Sequence, residues 1–537
     1  MNRAERRRQK KQAILTARRD KTPTIDPQLQ HMFDLAWTHY RSNHVEKAAN
    51  VYQKILDIDP KQPIALNMLG VIAHDSGEDE TASNLIAQAV AIKPDFAAAH
   101  SNLGLAFQGL GKLKEAATSY KTSLGIKFDT AETHLNLGNA LRDLGKLGDA
   151  VSAYKQALSL NSELAEAHHA LGVTLNEMGK LEEAESSFQN AILIKPIYPQ
   201  VFGSYGLLLI ALNQWDRAMD SFRKALDLVR GENPLNPNLD SFTTITKTKL
   251  RHDIEQFRYL NKIGIGSGKM GELASIYSSL EDEIEWPTSD TIPVALTKPQ
   301  QNLIKETYNR PFHVVETLAE TGSVLSPDLS AAAVTEDYFA NAPGMTYVDT
   351  FLKPKPLRAL RQFLTQSTIW YDSRYSNGYL GASLREGMAC PLLFQISEEL
   401  RKTFPGIFKH HLLQQAWAYK YDSQLGGIST HADFAAVNVN FWITPDSANL
   451  SPERGGLVVY KKEAPLNWAF TDYNQNQNKI RKFLGTPKNE AFVVPYAENR
   501  VVIFNSDLFH ETDSFDFKSG YLNRRINITL LFGNRWE

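Results

Sequence analysis

Residues 131–160 read Ala131-Glu-Thr-His-Leu-Asn-Leu137-Gly138-Asn-Ala-Leu-Arg-Asp-Leu-Gly-Lys-Leu-Gly-Asp-Ala150-Val-Ser-Ala-Tyr154-Lys-Gln-Ala-Leu-Ser-Leu160. Leu-Gly is followed twelve residues after its glycine by an alanine, and four residues later by a large apolar side chain. That order recurs at a strict interval of 34: Leu69-Gly70, Leu103-Gly104, Leu137-Gly138, Leu171-Gly172 and Tyr205-Gly206. The alanines are Ala82, Ala116, Ala150, Ala184 and Ala218, and the apolar partners are Ile86, Tyr120, Tyr154, Phe188 and Phe222. An earlier copy aligns as Leu35-Ala36, Ala48, Tyr52 and Pro60. Pro60, Pro94 and Pro196 close three copies, where Phe128 and Ser162 stand in two others. Six copies therefore run over 27–230.

Each copy offers two short amphipathic helices. The small Gly and Ala positions let the two backbones approach, and the large residue fills the space between them. One pair cannot bury its apolar face alone, so neighbours stack into an all-α solenoid with a concave surface. The signature resembles the tetratricopeptide repeat (TPR). The resemblance implies a protein or peptide partner lying along the groove. Asn67, Asn102, Asn136 and Asn139 are expected on the concave side, where an amide can hold peptide backbone. Solvated helix surface is the competing reading for them. Similar asparagine ladders occur in a repeat-bearing glycosyltransferase, which keeps that class open as a lesser alternative.

Composition sets the outer bounds. At roughly 100–200 residues per domain, 537 residues imply two to four domains. Hydrophobic residues at 42% and charged residues at 22% describe a globular chain rather than a disordered one. No apolar run approaches the roughly 20 residues a membrane helix needs, so no span is expected. A single cysteine, Cys390, supplies neither an internal disulfide nor a cysteine metal cage, and a cytoplasmic setting fits. The net charge of −2 hides an asymmetry. Residues 1–20 hold Arg3, Arg6, Arg7, Arg8, Lys10, Lys11, Arg18 and Arg19 against Glu5 and Asp20, a balance of +6. Only Ala13-Ile-Leu15 is apolar there, too little for an export signal. The segment 1–26 reads as a basic, flexible tail, and a nucleic-acid partner is not expected.

Residues 231–344 read as a capping helix and linker. Gly231-Glu-Asn-Pro-Leu-Asn-Pro-Asn238 breaks the repeats, and Lys249–Leu260 has helical apolar spacing. Gly264-Ile-Gly-Ser-Gly-Lys269 lacks the phosphate-loop spacing and reads as an inter-helix loop. The prolines and weak periodicity of 284–345 suggest a wrapped linker.

From 345 to 537 the apolar period changes from helical to alternating. β-rich runs fall at Trp417–Tyr421, Val437–Ile443, Gly456–Tyr460, Ala491–Pro495, Arg500–Phe504 and Arg525–Phe532, with helices expected at 355–367 and 391–404. Among these runs stands Thr430-His-Ala-Asp-Phe434. In a strand, residues i and i+2 share a face, so His431 and Asp433 can reach one ion. His510, at the end of the run Arg500–Phe504, supplies a third ligand. Two histidines and a carboxylate form the facial set of non-haem Fe(II) oxygenases, although a catalytic zinc can use the same ligand types. Arg525 can grip a carboxylate with two hydrogen bonds, as 2-oxoglutarate requires, and strand parity favours it over Arg524. Asn438, Asn440 and Trp442 share a face that can line the pocket, as does Asn527 beside Arg525.

The ordered set Tyr421, His431-x-Asp433, Gly455-Gly456-Leu457-Val-Val-Tyr460, Arg500-Val-Val-Ile-Phe504, His510 and Arg525-x-x-Ile-Thr529 resembles the Fe(II)/2-oxoglutarate-dependent dioxygenases, particularly the prolyl-hydroxylase-like branch. The resemblance covers 345–537. It implies an all-β double-stranded β-helix (jelly-roll) with flanking helices. Fe(II) would be held by His431, Asp433 and His510. The cosubstrate 2-oxoglutarate would be bound by Arg525, Tyr421 and Thr529, with O2 as oxidant. The implied outcome is hydroxylation of a protein or peptide recruited by the repeats. The insertion 464–490, with Trp468, Phe470 and Tyr473, is a candidate substrate lid. The alternative is a TPR interaction scaffold whose oxygenase fold lacks turnover.

Overall fold

The computed structural model describes residues 27–230, 242–371, 379–409, 411–422, 426–468, 470–485 and 490–535. The tail expected over 1–26 lies outside them. The chain divides into two compact units, parting between Pro196 and Ile197.

Within the first unit, the helices Pro27–Arg41 and Val45–Ile58 form one antiparallel pair. Four more follow, from Pro63–Asp75 with Asp79–Ile92 to Ala165–Glu177 with Leu181–Ile194. The Leu-Gly signature has a steric cause. A Cβ added at Gly104 would stand 2.5 Å from the Tyr120 ring, and one at Gly172 would stand 2.9 Å from Phe188. The glycine thus lets a large side chain lie flat against the neighbouring backbone, and Tyr120, Tyr154 and Phe188 are fully buried there. A second periodic feature turns the chain between the paired helices. Asn43, Gly77, Gly111, Gly145 and Gly179 all have positive φ, between 65° and 84°. Glycine and asparagine are the residues that enter this region at least cost.

The sixth helix pair, Pro199–Ala211 and Trp215–Arg230, falls in the second unit, so the division precedes residue 230. The Phe222 ring lies tilted against Phe394 with centroids 6.2 Å apart, and Gly203 lies close under Arg385. The last repeat is thereby packed onto the C-terminal region.

The connector carries more structure than its proline content suggests. Helices Lys247–Lys262 and Lys269–Glu283 are joined through Gly264, Gly266 and Gly268, all at positive φ. The glycine-rich run is therefore an inter-helix loop. Phe242, Ile254, Phe257, Tyr277, Ile304 and Tyr308 form a buried core of their own. A short pair, β1 (Thr244–Ile245) and β2 (Val294–Ala295), ties the segment back on itself.

The remaining strands are β3 (Met345–Val348), β4 (Leu380–Ser383), β5 (Leu413–Lys420), β6 (Val437–Trp442), β7 (Leu457–Glu463), β8 (Ala491–Val494), β9 (Val501–Asn505), β10 (Leu508–Thr512) and β11 (Ile526–Phe532). They form a six-stranded sheet, β3-β9-β6-β11-β5-β4, and a three-stranded sheet, β10-β7-β8. Every pairing is antiparallel. Met345, Trp442 and Phe504 of the large sheet share one buried cluster with Val459, Val494 and Leu508 of the small one, so the sheets share a core. Strands β6 and β11 are buried at every position. Their alternate polar residues, Asn438, Asn440, Asn527 and Thr529, are buried too and are bonded to one another. Helices Pro354–Gln366 and Pro391–Thr403 flank the sheets, within a residue or so of the expected spans.

Candidate metal and carboxylate site

His431 and His510 meet by a reciprocal backbone bridge. His431 N–H donates to the His510 carbonyl at 3.0 Å, and His510 N–H donates back at 2.8 Å. Two placements differ from the sequence reading. His510 does not end β9 but lies on a separate strand, β10, paired with β7 across a bulge at Leu508/His510. The His431–Asp433 stretch is not a regular strand; it touches β10 at this single bridge before leading into β6.

The ligand atoms of His431, Asp433 and His510 all lie within 4.8 Å of one another. Each Nδ1 is turned to a backbone carbonyl, that of Ser429 for His431 at 2.9 Å and that of Leu508 for His510 at 3.0 Å. The proton therefore belongs on Nδ1, and both Nε2 lone pairs face Asp433, at 3.7 and 3.5 Å from its oxygens. Burial, reinforced by the neighbouring His510, pushes the His431 imidazole down to about 4, so it is neutral at neutral pH. Burial alone would raise Asp433. Its polar contacts with His510, His431 and Asn438 outweigh it and hold the carboxyl below its usual range. Asn438 also donates to Asp433 Oδ2 at 2.7 Å. Two imidazoles and one carboxylate, all oriented by a further partner, match the donor set of a divalent transition metal.

The triad opens into a cavity of about 540 Å³ that also holds Arg525, Tyr421, Asn440, Asn527 and Thr529. Arg525 is 1% exposed. Its Nε donates to the Gly455 carbonyl at 2.7 Å and its Nη2 to that of Gly456 at 3.1 Å, while its Nη1 has no hydrogen-bond partner. The guanidinium lies 4.7 Å from the Tyr421 ring centroid, and burial pulls it below its usual value. Gly456 is required by the close approach of the chain entering β7 to the end of β8, since a Cβ there would collide with the Val494 carbonyl. Arg524 faces elsewhere, bound to Glu255 at 2.9 Å and Asp422 at 3.0 Å.

A buried chain of amides joins the two halves of the site. Asn440 donates to Asn438 at 2.6 Å, and both Asn527 and Thr529 donate to Asn440 Oδ1 at 2.8 Å. Trp442 is the cross-strand partner of Asn527 but packs in the shared core of the sheets. Tyr421, expected from the sequence, is joined in the cavity wall by residues that sequence reasoning missed: Trp417 and Tyr419, which alternate with it along β5 and beyond, and Tyr379 beside them. The alternation in Trp417-Ala-Tyr-Lys-Tyr421 is the signal that could have found them.

The insertion forms a short π-helical turn, Thr471–Gln475, and a helix, Gln477–Leu484. It supplies Phe470, Asn474, Gln475 and Gln477 to the cavity wall. Tyr473 is buried with Ala432, Ile480 and Phe509, and Trp468 packs against that cluster. Asn474 donates to the Ala432 carbonyl at 3.0 Å, and Gln477 donates to that of Thr430 at 2.8 Å.

The repeat asparagines are not a free ladder. Asn67 and Asn102 are buried and bonded to each other at 2.9 Å, Asn136 is buried, and Asn139 accepts from the Tyr154 hydroxyl at 3.0 Å. The Asn67–Asn102 bond joins successive repeats, whereas Asn139 bonds within its own.

Profiles of the tetratricopeptide repeat match residues 33–95, 97–130 and 165–198, and a TPR repeat profile matches 138–179. Residues 33–198 thus carry tetratricopeptide repeats. Among solved structures the chain is similar to MamA, at 25% identity over 30% of this chain and 94% of that one, with a TM-score of 0.28. It is similar also to YrrB, a TPR protein with an unusual peptide-binding site (22% identity, 34% and 93% coverage, TM-score 0.29). A third is a thermophilic TPR protein of Thermus thermophilus (24% identity, 34% and 99% coverage, TM-score 0.30). No curated protein sequence matches the chain. Among the described residues, no helix is long and apolar enough to cross a membrane.

Proposed function

We propose that the second unit is an Fe(II)- and 2-oxoglutarate-dependent dioxygenase of double-stranded β-helix type, and that its repeats present a protein or peptide substrate to it. One observation carries the reading. A buried guanidinium with an unpartnered Nη1 opens into the same cavity as a two-histidine, one-carboxylate cluster. An unpaired buried donor is costly, and a carboxylate would satisfy this one with charge-assisted bonds.

The residues fit both groups. His431, Asp433 and His510 would hold Fe(II), which when bound supplies redox activation of O2 for oxidising the substrate. Everything else falls to the chain. Arg525 fixes the far carboxylate of 2-oxoglutarate, with the Tyr421 hydroxyl and Thr529 alongside. Asn438 and the two backbone carbonyls keep the ligand atoms turned inward before the ion arrives. Trp417, Tyr419 and Phe470 keep the cavity apolar around them, and the strap at 470–484 acts as a lid that limits water. Tetratricopeptide arrays generally bind proteins or peptides, which supports recruitment as the role of the first unit.

The test is an anaerobic titration of the full chain with Fe(II) and 2-oxoglutarate. A visible charge-transfer absorption that needs both additions, followed by succinate formation on admitting O2, is expected. Its absence at saturating metal would refute the assignment and favour a scaffold without turnover. The glycosyltransferase alternative has no support in the sheets, which are antiparallel throughout.

A further inference from the structure

The two strands that present Tyr421 and Arg525 to the cavity carry Lys420 and Arg524 on their reverse faces. The strands are in register at this point. Tyr421 N–H donates to the Arg525 carbonyl at 2.9 Å, and Lys420 pairs with Ile526. Behind them lies the helix Lys247–Lys262. Its Glu255 accepts from Arg524 Nε at 2.9 Å, while Asp422, just beyond β5, accepts from Nη1 at 3.0 Å. Lys420 sits between the Trp370 and Tyr521 rings, 4.2 and 4.4 Å from their centroids, and donates to the Tyr521 hydroxyl at 2.9 Å. His252 of the same helix stands 3.4 Å from the Lys420 ammonium. Gln256 donates to the Ser367 carbonyl at 2.9 Å. One face of one helix thus grips β5, the entry to β11 and the segment after Gln366.

Arg524 is buried while its carboxylate partners are partly exposed, so the pairs add little net stability, but two bonds fix the direction of the guanidinium. We propose that Arg524 and Glu255 are positioning residues. Their ion pair holds the start of β11 so that the adjacent Arg525 presents its free Nη1 at the height of the cosubstrate carboxylate. The connector helix is then a working part of the cosubstrate site. This inference rests on the 2-oxoglutarate reading given above.

Charge and position can be told apart by sign. Removing the negative charge of Glu255 makes the surroundings of Arg525 more positive, so a purely electrostatic role predicts tighter anion binding. A brace predicts weaker binding. The experiment uses the full chain under anaerobic conditions with Fe(II) and N-oxalylglycine, a non-reacting 2-oxoglutarate analogue, with affinity read by calorimetry. Small misplacements of a binding group are costly, so Glu255→Gln should weaken the analogue about three- to tenfold. Fe(II) affinity measured without the analogue should not change. Arg524→Lys keeps the charge but cannot reach both carboxylates, and should fall between wild type and Arg524→Gln. Glu255 is partly exposed, so its variant is expected to fold and is the deciding one. Unchanged or tighter analogue binding by Glu255→Gln would overturn the brace. If the wild-type chain bound Fe(II) but not the analogue, the cosubstrate reading itself would fall, and this inference with it.

Discussion

Replacing Arg525 by alanine tests the proposed cosubstrate site most directly. The guanidinium is 1% exposed and uses two of its nitrogens on the Gly455 and Gly456 carbonyls, which leaves Nη1 for the ligand. Losing one side of a buried, hydrogen-bonded charge pair costs about 2–5 kcal/mol, much of it from the stranded partner. At about 1.4 kcal/mol per tenfold, the dissociation constant for 2-oxoglutarate should rise about thirtyfold to several thousandfold. Fe(II) should still bind, because the triad reaches the ion without this side chain. Arg525→Lys restores the charge without the planar fork, and should recover only part of the loss. The assay is calorimetric titration of N-oxalylglycine into the Fe(II)-loaded chain, with metal content checked first. Arg524→Ala should cost far less, since that side chain faces Glu255 and Asp422 rather than the cavity. If Arg524→Ala gave the larger loss, or Arg525→Ala less than a few-fold, the assignment of the anchor would be wrong.

Four other expectations follow from the same geometry. His431→Ala or His510→Ala should abolish both the charge-transfer band and succinate formation, while Asp433→Ala should lose turnover but keep some metal; full turnover in either histidine variant would sink the triad. Asn438→Ala removes the amide that holds Asp433 Oδ2 and should weaken metal binding about 10–100-fold, read by competition with a chelator. Gly104→Ala drives a Cβ to 2.5 Å from the Tyr120 ring and should destabilise the repeats by about 1–3 kcal/mol, seen as a lower melting temperature. Removing residues 1–196, the first compact unit, should spare Fe(II) and N-oxalylglycine binding but sharply reduce turnover of a macromolecular substrate, because tethering raises effective concentration. Equal use of that substrate by the shortened chain would leave the repeats an assembly or localisation role.

Much of this was legible in the residues because the physics acting there is local. A period of 34 announces stacked helix pairs, and the glycine facing Tyr120 is a steric demand visible as an unchanging interval. The positive-φ series Asn43, Gly77, Gly111, Gly145 and Gly179 has the same interval and was equally available. Alternation located β5, β6, β9 and β11, whose central members are buried on both faces. Strand β10 escaped because Leu508–Thr512 is short, follows β9 after two residues, and mixes His510 and Glu511 with apolar neighbours. The connector escaped for a different reason. Its core is assembled from Phe242, Tyr277 and Tyr308, far apart in sequence, so no window displays it. The Asn67–Asn102 bond was not legible because an amide that bonds to its counterpart in the next repeat has the same spacing as one that faces a ligand.

The strap that supplies Asn474 and Gln477 to the cavity wall holds the peptide carbonyls on either side of His431, and Ala432 N–H returns a bond to Tyr473 at 2.9 Å. If this strap is the lid of the proposed site, opening it would loosen His431, a ligand of the proposed ion. Metal residence time would then be set by how often the strap swings open rather than by the strength of the three ligand bonds. Rapid exchange of large substrates would bleed iron from the protein, and an inhibitor that pins the strap shut would preserve the metal while it blocks the reaction.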